Sequence, residues 1–179
     1  MTSDTSTPTL AELDYIPYLD EQGQLTDQFD GKVGVYAIFD QAEQLRYIGY
    51  SRDVSLSLKQ HLVRQPRHCH WVKVQTIARP SRTQLEAMRD SWIAENGCTP
   101  VGNAADEPLW NQAIDAKTKM TAAEQAEYAA SDDLGKIKTL KRVARRVEAE
   151  VLADLEARGV TMPVRFDPKL KEEGLLNLK

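Results

Sequence analysis

The sequence predicts an α+β protein of the α/β-sandwich kind, with a small central antiparallel sheet of about three strands flanked by helices. Two β-rich runs joined by a short polar link predict a hairpin near residues 33–50. Apolar residues at helical spacing follow on both sides of a third β-rich run. A long amphipathic pattern in the last third predicts an α-helical C-terminal extension. A chain of 179 residues has room for one domain and such an extension.

The predicted hairpin uses residues 33–39 and 45–50, which are β-branched and aromatic, while 40–44 are polar. Ser51 then stands where a helix N-cap is expected. Val54, Leu58 and Leu62 follow at intervals of four, which predicts a helix over residues 52–64.

Residues 69–78 predict the third strand, and a second helix is expected from Pro80 and Ser81 to about residue 95, ended by Gly97. Beyond an irregular stretch, Thr121 and Glu124 have the spacing of a capping box. Ser131 is expected to cap a longer helix that runs to about residue 158. The sequence therefore divides into an acidic lead-in (1–31), a central domain (32–104) and a helical extension with a tail (105–179).

Charge is segregated along the chain. The net charge is −4, yet residues 46–89 carry +7 between flanks of −8 (1–45) and −7 (90–135). A basic middle of this kind attracts phosphates if it folds onto one face, and it is neutralised if the acidic flanks fold against it.

The composition also limits the setting in which the protein works. The N-terminus lacks the basic and apolar regions of a secretory signal, and no apolar run reaches the roughly 18–20 residues of a membrane span. Two cysteines are too few for a disulfide framework. We therefore expect no membrane span and a cytoplasmic location.

Three short motifs carry a family resemblance. Gly34-Val35-Tyr36 is followed after ten residues by Tyr47-Ile48-Gly49, a helix comes directly afterwards, and the region closes with Pro100-Val101-Gly102-Asn103. Over residues 32–104 the chain resembles the GIY-YIG superfamily, which is known from homing endonucleases and from a nuclease domain of bacterial excision repair. The resemblance implies phosphodiester hydrolysis with one divalent metal, Mg²⁺ or Mn²⁺, held by a helical glutamate.

Matched by position, the resemblance assigns catalytic roles to Tyr36, Tyr47, His61 and Asn103. Glu86 is the available metal ligand. The side chains expected to form a basic nucleic-acid-binding surface are Arg46, Arg52, Lys59, Arg64 and Arg67.

Two positions depart from the family pattern. Ser57 stands where the family has an arginine, and Arg89 stands where it has the metal-binding glutamate. Losing one such electrostatic group commonly costs about 10²–10³ in rate, so the enzyme question stays open.

We therefore expect a catalytically degenerate nuclease-like domain that binds DNA or RNA through a basic face. One alternative is a non-enzymatic assembly factor that uses the same fold as a scaffold, with a protein partner bound by the C-terminal helix and tail. The other is an active metal-dependent endonuclease with rearranged site residues.

Overall fold

A computed structural model describes residues 7–179, so the first six residues of the predicted lead-in lie outside the described part. The chain divides into two compact units, residues 7–110 and 111–179. The strands are β1 (Ile16–Pro17), β2 (Val33–Phe39), β3 (Leu45–Ser51), β4 (Trp71–Ile77), β5 (Ile114–Asp115) and β6 (Leu175–Leu176). The helices are α1 (Val54–Arg64), α2 (Arg82–Asn96), α3 (Glu107–Asn111), α4 (Ala122–Ala130) and α5 (Asp133–Arg158).

The first unit is built on a sheet with strand order β1-β4-β2-β3, in which every neighbouring pair is antiparallel. The expected hairpin is present as β2 and β3. Tyr36 pairs with Gly49 and Ile38 pairs with Tyr47, so the two tyrosines lie on the same face of the sheet. The predicted α+β class and antiparallel sheet are confirmed. The sheet has four strands instead of about three, because β1 adds to the edge at β4.

The two faces of the sheet are covered by different helices. Helix α2 packs Leu85, Met88 and Trp92 against a sheet face that includes Val35 and Ala37. The opposite face carries Tyr36 and Tyr47 toward α1, which begins at the N-cap Asp53, two residues after the predicted Ser51. Each helix thereby buries the apolar stripe that its spacing predicted.

The described part of the acidic lead-in belongs to the first unit. A 3₁₀ turn over Leu10–Glu12 buries Leu10, and Glu95 accepts hydrogen bonds from the backbone N–H groups of Leu10 and Ala11 at 2.8 and 3.1 Å. The buried Lys73 ammonium donates to the Leu10 carbonyl at 2.8 Å. These bonds fix a segment whose composition alone predicts little order.

The second unit is helical with one short antiparallel pair, β5 with β6. The Thr121 capping box opens α4 as predicted, while α5 is capped by Asp132, one residue after the expected Ser131, and ends at Gly159. Helix α5 has an apolar stripe whose side chains are buried, among them Val143 and Val147.

The tail leucines are held inside this second unit. Leu176 is buried, and Gly174 lies so close to Leu140 of α5 that an added Cβ would stand 3.1 Å from its side chain. Lys141 pairs with Glu172 at 3.0 Å, and an ion pair also joins Lys171 to α5. The tail therefore packs against α5, the helix for which the sequence predicted a possible protein partner.

Within the described residues, no helix is both long enough and apolar enough to cross a membrane.

Candidate functional site

Four rings from separate parts of the first unit meet on one face of the sheet, and we call Tyr36, Tyr47, His61 and Trp110 the aromatic cluster. The Tyr36 hydroxyl lies 2.7 Å from His61 Nε2. The Tyr47 ring stacks on Trp110 with centroids 5.1 Å apart and planes 3° from parallel. All four side chains are buried, with 2–6% of each residue exposed. The cluster is therefore a packed, hydrogen-bonded group.

Two glycines of the recognised motifs make room for these rings. A Cβ at Gly49 would lie 2.6 Å from Tyr47 Cε1 and 2.7 Å from the Tyr36 hydroxyl oxygen. At Gly102 it would lie 2.5 Å from the Arg46 carbonyl oxygen and 2.8 Å from Trp110 Nε1. Real Cβ atoms do not approach other atoms this closely, so both positions require glycine for ring packing.

Asn103 holds the edge strand beside the cluster. Its side-chain oxygen accepts a hydrogen bond from the Ile48 N–H at 2.8 Å, and its side-chain nitrogen donates to the Ile48 carbonyl at 2.6 Å. This paired arrangement satisfies both backbone groups of a residue on β3, the outer strand of the sheet. The residue predicted as catalytic thus acts on the backbone of the YIG triplet.

The groups of the cluster are held in their neutral forms. Burial lowers the pKa of His61 to about 3, and the nearby charge of Arg64 acts in the same direction. Burial also raises the pKa of Tyr36 well above its ordinary value, with Tyr47 as a further cause. A neutral imidazole beside a neutral phenol can share one proton along the 2.7 Å contact, and at neutral pH neither carries charge.

Ser57, at the position of the family arginine, does lie beside the cluster. Its hydroxyl interacts with Tyr36 and stands 2.7 Å from the Ser51 hydroxyl. Arg52 is exposed and Lys59 is half-buried on α1, so neither replaces the missing arginine by burial in the cluster.

The other three residues of the expected basic surface, Arg46, Arg64 and Arg67, differ in their exposure and in their contacts. Arg46 pairs with Asp40 at 2.7 Å, and Arg64 donates to the Trp110 carbonyl at 2.8 Å. Arg67 is exposed. Arg46 and Arg64 are therefore engaged with the protein itself.

Glu86 lies on the other face of the sheet from the aromatic cluster. Its carboxylate accepts hydrogen bonds from Arg82 at 2.7 Å and from the Tyr50 hydroxyl at 3.1 Å. Tyr50 is three residues from Tyr47 on β3, and such residues point to opposite faces of a sheet. The Arg82 guanidinium lowers the pKa of Glu86, and Arg89 lies over the Tyr50 ring.

These surroundings do not fit the divalent metal that the resemblance implies. The carboxylate of Glu86 is already shared between a cation and a phenol, and the tyrosines lie across the sheet. Among residues 7–179 there is no group of three or more His, Cys, Asp or Glu side chains that could hold a metal ion. We therefore derive no chemistry through a metal.

Trp110 is the member of the cluster that sequence reasoning did not assign to the site. The sequence marks it only as an apolar anchor in an irregular stretch, and it reaches Tyr47 from more than sixty positions along the chain. The usable signal was Gly102, a small residue that permits close approach of another group.

One comparison gives a relative with a named activity. The chain is 30% identical over 99 residues to the bifunctional monothiol glutaredoxin-S16 of Arabidopsis thaliana, a chloroplastic protein. The match spans 53% of this chain and 32% of the relative, so the matched part of this chain covers about a third of that protein. No protein-family model matches the chain.

This comparison contradicts the predicted function. The relative is named for a thiol redox activity, not for a nuclease or for nucleic-acid binding. The expectation of a degenerate nuclease-like domain is therefore set aside, together with its two alternatives, an assembly scaffold and an active endonuclease. The motif residues do not decide the function by themselves, because tyrosines and glycines that pack a buried cluster leave the same pattern in a sequence as residues of a reactive surface.

Several other expectations stay predictions. They are the GIY-YIG resemblance as a statement about family, the cytoplasmic location, and the partners, namely DNA or RNA, or a protein bound by the C-terminal helix and tail. The roles assigned to Tyr36, Tyr47, His61 and Asn103 also stay predictions, although the structure does bring three of these side chains into one cluster.

Proposed function

We propose that this chain works in thiol redox chemistry as a domain that accompanies a glutaredoxin activity and presents one exchangeable thiol, Cys98. The observation that carries the proposal is the contrast between the two cysteines. Cys98 is exposed and Cys69 is buried, and neither forms a disulfide. A single accessible thiol suits the monothiol chemistry for which the relative is named.

The surroundings of Cys98 support this role. It follows the end of α2, where Gly97 takes a left-handed conformation. The Asn96 side-chain amide donates to the Cys98 carbonyl at 2.8 Å and lies 3.6 Å from Sγ. These contacts hold Cys98 at an exposed position just after α2, where a disulfide can reach its sulfur.

The sheet favours a domain that serves a glutaredoxin over one that acts as the catalyst. A thioredoxin-like redox motif is expected near a βαβ unit, which contains parallel strands. Every strand pair in the described residues is antiparallel. We therefore assign the catalytic unit to a separate glutaredoxin and the exchangeable thiol to this chain.

The exchange is balanced. The Cys98 thiolate attacks oxidised glutathione, one sulfur–sulfur bond forms as another breaks, and one reduced glutathione leaves. A second glutathione, used by a monothiol glutaredoxin, restores the thiol and regenerates oxidised glutathione.

Mass spectrometry after incubation with oxidised glutathione tests this proposal. We expect one glutathionyl group per chain, present in the Cys69→Ser variant and absent from Cys98→Ser. A monothiol glutaredoxin with reduced glutathione should remove the group faster than reduced glutathione alone. An adduct on Cys69, or no enzymatic acceleration, would overturn the proposal. So would reduction of a small disulfide by the chain itself, because that would make the chain the catalyst.

We also propose that the first unit has the GIY-YIG fold. The support is that the two triplets lie on paired strands and that Asn103 binds the second triplet. Superposition of an experimental structure of this chain on solved members of that superfamily tests the assignment, and a different order of strands would reject it.

A further inference from the structure

We propose that the second unit carries a binding site for a small phosphate-bearing anion, in the cleft between α5 and the tail. The cleft has a volume of about 240 Å³ and is lined by Lys141, Arg145, Pro168, Lys169, Lys171 and Glu172. At ~30 Å³ per water molecule this is the space of about eight waters, enough for a phosphate group and part of what it is attached to. All the residues that line the cleft belong to the second unit, whereas Cys98 and the aromatic cluster belong to the first.

Some of the cations around the cleft are paired with carboxylates and others are not. Lys141 pairs with Glu172 at 3.0 Å, and Lys171 pairs with Glu148. Arg145 and Lys169 are exposed, and among residues 7–179 no carboxylate forms an ion pair with either. The Asp167 carboxylate also stands close, and it accepts a hydrogen bond from the Lys169 N–H at 3.0 Å.

Two uncompensated cations match a phosphate better than a carboxylate. A phosphomonoester carries about −1.5 to −2 at neutral pH, while a single carboxylate carries one negative charge. The planar guanidinium of Arg145 can bind two phosphate oxygens at once, and Lys169 supplies a compact charge from the tail.

The backbone brings these cations together from two distant segments. Lys141 and Arg145 are four positions apart on α5 and so share one side of that helix. Lys169 and Lys171 arrive with the 3₁₀ turn over Leu170–Glu173, which the Gly174 contact with Leu140 holds against α5. An anion in the cleft therefore contacts a preformed arrangement of cations, which lowers the cost of ordering them on binding.

An NMR titration of the full chain with inorganic phosphate tests the inference. We expect saturable shifts confined to amides near Arg145 and Lys169, weakening as the ionic strength rises. Arg145→Ala and Lys169→Ala should each weaken binding about tenfold, as for the loss of one hydrogen bond to a charged group. Both side chains are exposed, so neither variant should disturb the fold.

Two further variants sharpen the test. Lys136→Ala removes a cation about half a turn around α5 from Arg145, beside Tyr128, and should change affinity less than about twofold. Glu172→Gln releases Lys141 from its partner and should tighten binding. Absence of saturable shifts, equal weakening by Lys136→Ala, or weakening by Glu172→Gln would overturn the proposal. DNA bound more tightly than phosphate and weakened by Lys136→Ala would also overturn it, because the cations would then act as one extended surface.

Discussion

The Tyr36 hydroxyl on β2 lies 2.7 Å from Nε2 of His61 on α1. Both side chains are almost fully buried between the sheet and this helix. Because burial disfavours the charged form of each group, the pair is a neutral hydrogen bond. The energetic consequence appears in the pH dependence of folding.

We expect His61 to make the protein less stable in mild acid. In the unfolded chain its pKa is about 6.5, whereas in the fold it is lowered to about 3. At a pH between these two pKa values, His61 is protonated in the unfolded chain and neutral in the fold. The contribution of His61 to stability is therefore complete above pH 6.5 and is lost progressively as the pH falls toward 3. At pH 4.5 the loss should approach about 2–3 kcal/mol relative to pH 7.5.

Urea unfolding at the two pH values measures this effect, with His61→Gln as the comparison because glutamine keeps a partner for Tyr36 but does not titrate. The variant should lose less stability on acidification than the wild-type protein. Equal losses in both proteins would mean that His61 is protonated in the fold and that its burial has been overstated.

Trp92 should be one of the most costly side chains to remove from the first unit. It is fully buried against the sheet, and its indole N–H donates to the Pro8 carbonyl at 2.9 Å. Trp92→Ala should lower the free energy of unfolding by about 3–5 kcal/mol. Leu56→Ala is the matched control, since Leu56 is 54% exposed, and it should cost less than about 0.5 kcal/mol. Chemical denaturation compares the two, and similar costs would contradict the packing of α2.

The elements over residues 33–96 could be predicted because their signals are local. Strand periodicity, a polar link and N-caps at Ser81 and near Ser51 all act within a few residues. Strand β1 could not be predicted this way, since Ile16 and Pro17 form a strand only by pairing with β4 more than fifty residues away. The burial of Leu176 in the tail also depends on distant residues.

Asn103 should stabilise the edge of the sheet through both of its hydrogen bonds to Ile48. Asn103→Ala leaves the Ile48 N–H and carbonyl without these partners, which should cost about 1–3 kcal/mol. Asn103→Asp keeps an acceptor for the N–H but loses the donor and places a carboxylate near the carbonyl oxygen. The loss in free energy of unfolding of this variant, measured relative to the wild-type protein at the same pH, should therefore be larger at pH 7 than at pH 4.

Hydrogen exchange at the Ile48 amide checks this assignment separately from global stability. Protection should fall in Asn103→Ala more than the change in global unfolding explains. Unchanged protection would show that another group satisfies this amide.

Three of the four members of the aromatic cluster could be predicted from the sequence, but their burial could not. The motif spacing selected Tyr36, Tyr47 and His61, and these side chains do meet. Their burial depends on Trp110, which reaches them from outside the motifs. Sequence spacing also grouped Glu86 with the tyrosines, whereas the alternation of side chains along β3 places it on the other face.

The last prediction concerns Leu176, which is 1% exposed. Leu176→Ala should cost about 2–5 kcal/mol, because the cavity left by a buried leucine adds to the lost transfer free energy. For a protein of this size that corresponds to a fall of about 5–15 °C in the melting temperature of the helical signal. Leu134→Ala is the matched control on α5, since Leu134 is 62% exposed, and it should shift the melting temperature by about 2 °C or less.

Deletion of residues 160–179 should lower the melting temperature further than Leu176→Ala, because it also removes Phe166 and uncovers α5. If the deletion leaves the melting temperature unchanged, the tail does not pack on α5, and its leucines are free for the protein partner that the sequence suggested.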